Sequence, residues 1–471
     1  MAEPSALRAR LSRRHLAAGL VVGLLIRLLL LPAPGSPDVG SWKIWSFAGA
    51  FDPASLYGVG GTPPERRLLH WHGETGTTEY PPVALYEISL AGRIYASLDR
   101  AFDDSPILTA LIKAPGLLAE IALIAGLLLW RPPVLGAAVD WIVLAFWLNP
   151  AVIVNGSGLG YLDAQMAVPA TLALVAAGAG SFGTAGSLMA LALLTKPQAL
   201  FVAPALLLLL LAAAPSERRH RLVAVTVAGA ATTAVLLAPV VLRGAWSNML
   251  QALGRLGAHD MVSGNALNFW WLVTWIVRSL DSLDLGWRAA FTLPVSILSI
   301  GRMMDVGYPN PKPIGAVLVG ACLLWVIWRF RRGQRLAGAA LVGAWCVYAY
   351  AMFSAQVHEN HAYLAVPILL LAAGLAPTLR PLFWVVSAMT ALNMYLFYGI
   401  GTTWSPMLQR SWTGVDLSVL LALANVLISG WFTREVLRLP RMGQAHAVGA
   451  SRMGSGSLTT DSTKESSRLS Q

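Results

Sequence analysis

Long apolar runs separated by short polar segments recur along the chain from near the N-terminus to about residue 432. Most of these runs are long enough to form a helix that crosses the roughly 30 Å hydrocarbon core of a bilayer. The predicted crossings lie near residues 15–32, 107–129, 137–154, 164–180, 183–196, 199–214, 222–242, 268–280, 290–304, 314–330, 336–353, 362–376, 381–400 and 415–432. The pattern predicts an all-α polytopic membrane protein with about 14 transmembrane helices.

The composition supports this prediction. Hydrophobic residues make up 56% of the 471 residues and charged residues only 12%, whereas soluble globular proteins carry about 25% charged residues. The chain therefore has too few polar side chains to cover a surface that faces water. Both of its cysteines, Cys322 and Cys346, lie in apolar runs, so neither a disulfide framework nor a thiolate metal site is expected.

The net charge of +11 comes largely from arginines in short connections beside apolar runs. This distribution follows the positive-inside rule and marks residues 217–221, 329–335 and 434–441 as cytoplasmic. A nucleic-acid-binding protein would instead carry a soluble basic domain. We therefore expect membrane lipids as partners and no nucleic acid.

Residues 81–98 decide the topology. The segment is apolar enough to span, but counting it as a crossing would move the arginines of 217–221 to the outer side. Glu87 and Arg93 also make it amphipathic, so we expect a helix that lies in the outer interface. The domain prediction follows: a cytoplasmic N-terminus at 1–14, a transmembrane domain at 15–432, and a disordered cytoplasmic tail at 433–471. Residues 33–106 and 243–267 are then the main extracytoplasmic loops.

Several segments with polar side chains fall on the predicted outer side. Asp38 follows the first crossing and could serve as a general base, or be an exposed loop residue or helix N-cap. Asp163 ends a glycine-rich turn that would let a ligand approach, or it caps the following helix. Lys196 precedes a proline inside an apolar helical pair and could face an anion, or snorkel to the interface.

The fourth segment, from Gln356 to His361, is the densest polar cluster between two crossings. His358, paired with Glu359, could donate a hydrogen bond to a phosphate, or the segment could be an ordinary turn. Its spacing does not match the helical zinc motif. Arg243, Arg255 and His259 add positive charge to an outer loop, which an anionic ligand would explain.

Four islands of sequence, taken in order, resemble GT-C fold glycosyltransferases. They are Asp38 with Trp42; Glu79-Tyr80-Pro81-Pro82; Asn149-Pro150 leading to Tyr161 and Asp163; and Gln356-Val-His358-Glu359, with Lys196-Pro-Gln as a fifth match. Within that fold, these islands resemble the dolichyl-phosphate-glucose-dependent glucosyltransferases of the asparagine-linked glycan pathway and related bacterial mannosyltransferases. The similarity covers residues 15 to about 400.

The resemblance implies an inverting glycosyltransferase with Asp38 as catalytic base. It also implies that the donor phosphate or substrate is bound by His358, Glu359, Lys196, Arg255, Asp163, Tyr80 and Trp42. The expected donor is a polyprenyl-phosphate-linked hexose, and the expected acceptor is a hydroxyl of a lipid-linked glycan, glycolipid or protein. Neither a metal nor another cofactor is expected, and the location would be the cell membrane of a bacterium or the endoplasmic reticulum membrane of a eukaryote.

The chain departs from that family at two places. The family has a second acidic residue soon after the first aspartate, where this chain has Val39-Gly40-Ser41, and the segment 66–74 has no counterpart. A different class, a secondary transporter or lipid flippase, would also explain many helices and a buried lysine. Against it, the polar residues gather on one side instead of at the midplane, and hydropathy shows no two-fold repeat.

Overall fold

The computed structural model describes residues 12–58, 62, 68–280, 294–401 and 416–440. The regular secondary structure of the described part is helical except for one short hairpin of β1 (Leu69–Trp71) and β2 (Glu74–Gly76). The α-helices are α1 (Arg13–Leu30), α2 (Asp38–Gly49), α3 (Pro82–Leu98), α4 (Pro106–Trp130), α5 (Val139–Trp147), α6 (Pro150–Ile153), α7 (Asp163–Gly178), α8 (Phe182–Thr195), α9 (Ala203–Leu211), α10 (Pro215–Leu242), α11 (Trp246–Arg255), α12 (Phe269–Leu280), α13 (Ile300–Asp305), α14 (Pro311–Arg329), α15 (Leu336–Phe353), α16 (Ala365–Leu375), α17 (Arg380–Tyr398) and α18 (Leu417–Leu437). Four short 3-10 helices and a π-helical turn join them: Pro53–Tyr57, Gly136–Ala138, Val154–Gly158, Pro197–Val202 and Pro377–Leu379.

Among the described residues, six helices are long and apolar enough to cross a membrane: α4, α10, α14, α15, α17 and α18. A seventh is obtained if α5 and α6, which meet at a bend of 49°, count as one span. Several other predicted crossings are shorter apolar helices, such as α8, α12 and α16. Helix α1 has the length of a span, but its three arginines lower its hydropathy. The predicted all-α class is confirmed, whereas the count of about 14 spans stays a prediction.

The predicted crossing at 290–304 does not form a helix in its described part, residues 294–304, except where α13 begins at Ile300. Its first described residue is Pro294, which has no backbone N–H to donate. The Leu298 carbonyl instead accepts a bond from the Val262 backbone, and the Gly301 N–H donates to Asp260. This segment is therefore held against the loop 243–267. Residues 1–11, 402–415 and 441–471, including most of the predicted tail, lie outside the described residues.

Burial separates the central helices from the peripheral ones. In the most apolar stretch of α15, 83% of the residues are buried, whereas in α10 only 6% are. The exposed α10 side chains include Val223, Val227 and Val235. An exposed apolar face of this length would be costly in water but suits contact with lipid.

Charged residues inside two of the apolar helices form a buried pair. Arg27 of α1 donates to Glu120 of α4 over 2.6 Å, and neither side chain reaches the surface. The guanidinium also lies 3.8 Å from the centre of the Trp147 ring and donates to the Trp147 carbonyl. This contact ties three helices together, since an unpaired charge at such a position would be costly.

Helix α15 also sets the distance between the two ends of the bundle. Its 18 residues span about 27 Å at 1.5 Å per residue, close to the thickness of a hydrocarbon core. The turn 354–361 follows its C-terminal end, and the arginine-rich connection 329–335 precedes its N-terminal end. The predicted outer and inner polar segments therefore lie at opposite ends of the same buried helix.

Candidate active site

A cavity of about 680 Å³ opens at the C-terminal end of α15. Five separate segments of the chain contribute to its wall, among them α2, the end of the first loop and the turn after α15. Its polar and aromatic lining includes Asp38, Trp42, Trp45, Glu79, Tyr80, Gln198, His259, Tyr350, Gln356, His358, Asn360 and His361. The cavity therefore combines carboxylates, imidazoles and flat aromatic rings.

Asp38 is the first residue of α2, and the N-cap position before it is occupied by Pro37. The N-cap alternative for Asp38 is therefore wrong. Asp38 instead lines the cavity. Burial raises the pKa of Asp38 to about 6, while the positive charge of Lys196 acts in the opposite direction. Such a carboxyl is ionised at neutral pH and still basic enough to accept a proton.

Three aromatic rings form the wall beside Asp38. The Trp42 ring centre lies 4.7 Å from that of Trp45 and 5.2 Å from that of Tyr80. The Trp42 indole is also fixed by a 3.1 Å hydrogen bond from Nε1 to the Gly160 carbonyl. Pro82, the first residue of α3, fixes the backbone that follows Tyr80. The result is a rigid, partly apolar surface next to the candidate base.

His358 reaches the cavity through an unusual backbone path. Gln356 has a left-handed φ of 64°, and Gly264 lies so close that a Cβ there would come within 2.8 Å of His358 Nδ1. About 38% of the His358 side chain remains exposed, so a ligand could contact it. The enclosed part of the ring is desolvated, and together with the nearby charges of His259 and Lys196 this lowers the pKa of His358 to about 4. The imidazole is therefore neutral above that pH and acts as a hydrogen-bond donor or acceptor.

Glu79 and His259 link the two outer loops across the cavity. Their Oε2 and Nε2 atoms are 3.0 Å apart. This hydrogen bond raises the pKa of His259 and lowers the pKa of Glu79, which favours the charged form of both. Gln356 donates a further hydrogen bond to the His259 carbonyl. Glu79 belongs to the Glu79-Tyr80-Pro81-Pro82 island but is not among the predicted site residues.

Asp163 and Lys196 form a buried ion pair behind the cavity wall. The Lys196 ammonium lies 2.5 Å from Asp163 Oδ1, and the two side chains are 2% and 3% exposed. Asn155 and Asn360 both donate to Asp163 Oδ2 over 2.8 Å. The snorkelling alternative for Lys196 and the N-cap alternative for Asp163 are therefore wrong. The pair joins the turn 155–163, the break after α8 and the turn 354–361.

The remaining predicted site residues do not line the cavity. Glu359 is buried and accepts a hydrogen bond from the Tyr161 hydroxyl, and Arg255 donates to the Thr78 carbonyl over 2.5 Å. Asp38, Trp42, Tyr80 and His358 do line it. Lys196 lies behind the cavity wall, with its Nζ atom 5.3 Å from the centre of the Tyr80 ring. Within the described residues, no group of three His, Cys, Asp or Glu side chains could hold a metal ion.

Two further lining residues, Gln198 and Tyr350, are not among the predicted site residues. His361 contacts Tyr350 through Nδ1 at 3.1 Å and Gln198 through Nε2 at 3.4 Å. Gln198 belongs to the Lys-Pro-Gln match, which was a usable signal. Tyr350 lies inside an apolar run, and nothing in the local pattern distinguishes it from a core aromatic residue.

The ion pair gives a test that does not depend on any activity. Replacing Lys196 by Met leaves the buried Asp163 carboxyl group with only its two amide donors, Asn155 and Asn360. We expect a loss of about 3–5 kcal/mol in the free energy of unfolding, because breaking one side of a buried pair leaves an uncompensated charge. Denaturant unfolding of the purified protein in detergent, followed by tryptophan fluorescence, measures it.

The control is the double variant Lys196→Met with Asp163→Asn, which removes both charges. It should be more stable than Lys196→Met alone. Additive losses from the two substitutions would show that the two groups are not coupled.

Neither protein-family models nor curated protein sequences give a match to this chain.

Proposed function

We propose that this protein is a multi-pass membrane glycosyltransferase of the GT-C type. It would transfer a hexose, with inversion, from a polyprenyl-phosphate-linked donor to an acceptor hydroxyl at the outer face of a cell membrane. The observation that carries the proposal is that the Asp38 carboxyl and the His358 imidazole face one cavity at one end of the helix bundle. The resemblance of the islands around these two residues to GT-C enzymes supports the same chemistry.

In the proposed step, Asp38 takes the proton of the acceptor hydroxyl. The hydroxyl oxygen then bonds to the anomeric carbon of the hexose, and the bond between that carbon and the phosphate oxygen breaks. Polyprenyl phosphate leaves with the electron pair. Attack from the side opposite the leaving group inverts the anomeric centre. A base with a pKa near 6 suits this role because it is ionised at neutral pH and still accepts a proton.

The departing phosphate needs hydrogen-bond donors and positive charge. The neutral His358 imidazole carries one ring N–H, which can donate a hydrogen bond to a phosphate oxygen. His259, whose pKa is raised by its hydrogen bond to Glu79, lines the same cavity, and the Lys196 charge acts on Asp38 from behind the wall. Fixed groups of this kind stabilise developing negative charge without having to reorient during the reaction.

The size and position of the cavity also fit a lipid-linked sugar. Its volume of about 680 Å³ lies within the range of about 300–1,000 Å³ for small-molecule sites. The Trp42, Trp45 and Tyr80 rings offer apolar faces to the carbon atoms of a sugar ring. Because the cavity lies at the end of α15, about 27 Å from the opposite end, the polyprenyl chain could remain in the hydrocarbon while its phosphate enters.

Replacement of Asp38 by Asn tests the proposal directly. Purified protein is incubated with synthetic polyprenyl-phosphate-hexose donors, and the released polyprenyl phosphate is measured. We expect turnover to fall by about 10²–10⁴-fold, since general base catalysis contributes that much, while donor binding is retained.

Asp103→Asn is the matched control, because Asp103 is an exposed carboxylate of the same outer loop and does not line the cavity. It should keep full activity. The proposal fails if the wild-type protein neither transfers nor hydrolyses any donor, or if Asp38→Asn is as active as wild type.

The pH dependence of kcat/KM gives an independent test. Because burial raises the pKa of Asp38 to about 6, the active ionised form dominates above that pH and is lost below it. We expect kcat/KM to fall about tenfold per pH unit below pH 6. His358, with a pKa of about 4, would give a fall that begins two units lower, and such a profile would contradict Asp38 as the base.

A further inference from the structure

A second cavity, of about 420 Å³, lies at the opposite end of the bundle. It is formed where α7 and α9 end and where α10 and α15 begin. Its polar lining consists of Glu217, Arg221, Gln334 and Arg335, and the remaining lining residues are apolar or glycine. Nothing in the proposed reaction uses this cavity.

The cavity has a built wall. Gly333 has a left-handed φ of 87°, and a Cβ there would come within 2.2 Å of the Ala212 nitrogen. Only glycine therefore lets the connection 329–335 pack against the end of α9. Gln334 is buried, its N–H donates to the Leu208 carbonyl, and its side chain donates to the Pro440 carbonyl. The wall that presents Arg335 is thus fixed by several contacts.

The charge at this cavity is positive. Arg221 pairs with Glu217, which also lines the cavity, and its guanidinium lies 5.2 Å from the Phe182 ring centre. Arg335 is exposed and makes no ion pair with any described residue. The two flanking connections, 217–221 and 329–335, together carry seven arginines against one glutamate. The single carboxylate is therefore outnumbered, and an anion in the cavity would be attracted.

Two helix ends add to this positive potential. Both α10 and α15 begin at the cavity, and neither has a side-chain cap at its N-terminus. The N-terminus of a helix carries a partial positive charge. The arginines and the two helix ends thus favour the same sign of ligand charge.

The neighbouring surface is apolar. Above its basic first turns, α10 exposes Leu222, Val223 and Val227 by 51%, 51% and 61%. A ligand at this position would contact positive charge at its head and an apolar helix face along its length. Anionic phospholipids have this combination, and basic pockets between helices on the cytoplasmic side bind such headgroups.

We propose that this cavity binds the phosphate of an anionic phospholipid of the inner leaflet, with Arg221 and Arg335 as its ligands. The site is separate from the proposed glycosyl-transfer site, because the buried helix α15 lies between the two. The inference does not require that reaction, only that α10 and α15 cross a membrane.

Lipid titration of the purified, delipidated full-length protein tests the proposal. The Tm in dodecyl maltoside is measured with added phosphatidylglycerol, with phosphatidylcholine and with inorganic phosphate. We expect phosphatidylglycerol to raise the Tm by about 2–4 °C, since a ligand that binds only the folded state stabilises it. Phosphatidylcholine should give no rise, and inorganic phosphate should give a much smaller one.

Two double variants distinguish binding at this cavity from a general effect of positive surface charge. Arg221→Gln with Arg335→Gln should abolish the rise with phosphatidylglycerol. Arg331→Gln with Arg332→Gln removes the same charge from the same region, but those residues do not line the cavity, so it should keep the rise. Native mass spectrometry of each variant, counting retained phosphatidylglycerol, gives a second measurement that does not depend on stability.

Equal loss in both double variants would overturn the proposal, because the lipid would then respond only to net charge. A full rise with inorganic phosphate alone would also overturn it, because the ligand would then be a free anion. If Arg221→Gln with Arg335→Gln does not fold, Arg221→Lys with Arg335→Lys replaces it. That variant should bind with reduced affinity, because lysine lacks the bidentate geometry of arginine, and unchanged affinity would contradict the proposed contacts.

Discussion

The arrangement of the candidate site depends on the buried pair of Asp163 and Lys196. An ion pair removed from water is tolerated only if both charges are matched and the remaining lone pairs are satisfied. Here Asn155 and Asn360 complete the hydrogen bonds of the carboxylate. One contact thereby fixes three segments that are far apart in sequence. The cavity is formed by residues next to these fixed points, such as Gln198 after Lys196 and His358 before Asn360.

A second constraint is the length of α15. Because the helix is buried and spans about 27 Å, it holds two polar regions apart at a distance close to a membrane thickness. The region at its C-terminal end contains carboxylates, imidazoles and aromatic rings. The region at its N-terminal end contains arginines and two helix N-termini. We therefore infer different ligands for the two ends: a lipid-linked sugar phosphate at one and a lipid headgroup at the other.

Much of the helical framework could be predicted from the sequence, because apolar runs and arginine-rich connections are local signals. The segment 81–98 was expected to be helical, and α3 covers Pro82–Leu98. The crossing at 290–304 was wrong because its apolar composition does not show that its backbone pairs with the loop 243–267. Hydrophobicity alone cannot distinguish a span from an apolar segment held by a neighbouring loop.

The partners of buried charges were less predictable, since they are separated by long stretches of chain. Arg27 and Glu120 are 93 residues apart, and no periodicity links them. Lys113 lies within a predicted crossing, and its side-chain nitrogen donates to the carbonyls of Ala33, Ser157 and Gly158, none of which the local pattern indicates. For the same reason, the sequence pointed to Asp163 and Lys196 as ligand contacts, whereas their nearest partners are each other.

The central claim is that Asp38 and His358 act on the same lipid-linked sugar. It is tested most directly by an electron cryomicroscopy structure of the protein with a non-hydrolysable polyprenyl-phosphonate hexose. The account predicts the phosphonate within hydrogen-bond distance of the His358 imidazole and the sugar ring against Trp42 and Tyr80, with its anomeric carbon facing Asp38. A ligand bound elsewhere, for example at Arg221 and Arg335, with the large cavity filled only by water, would contradict it.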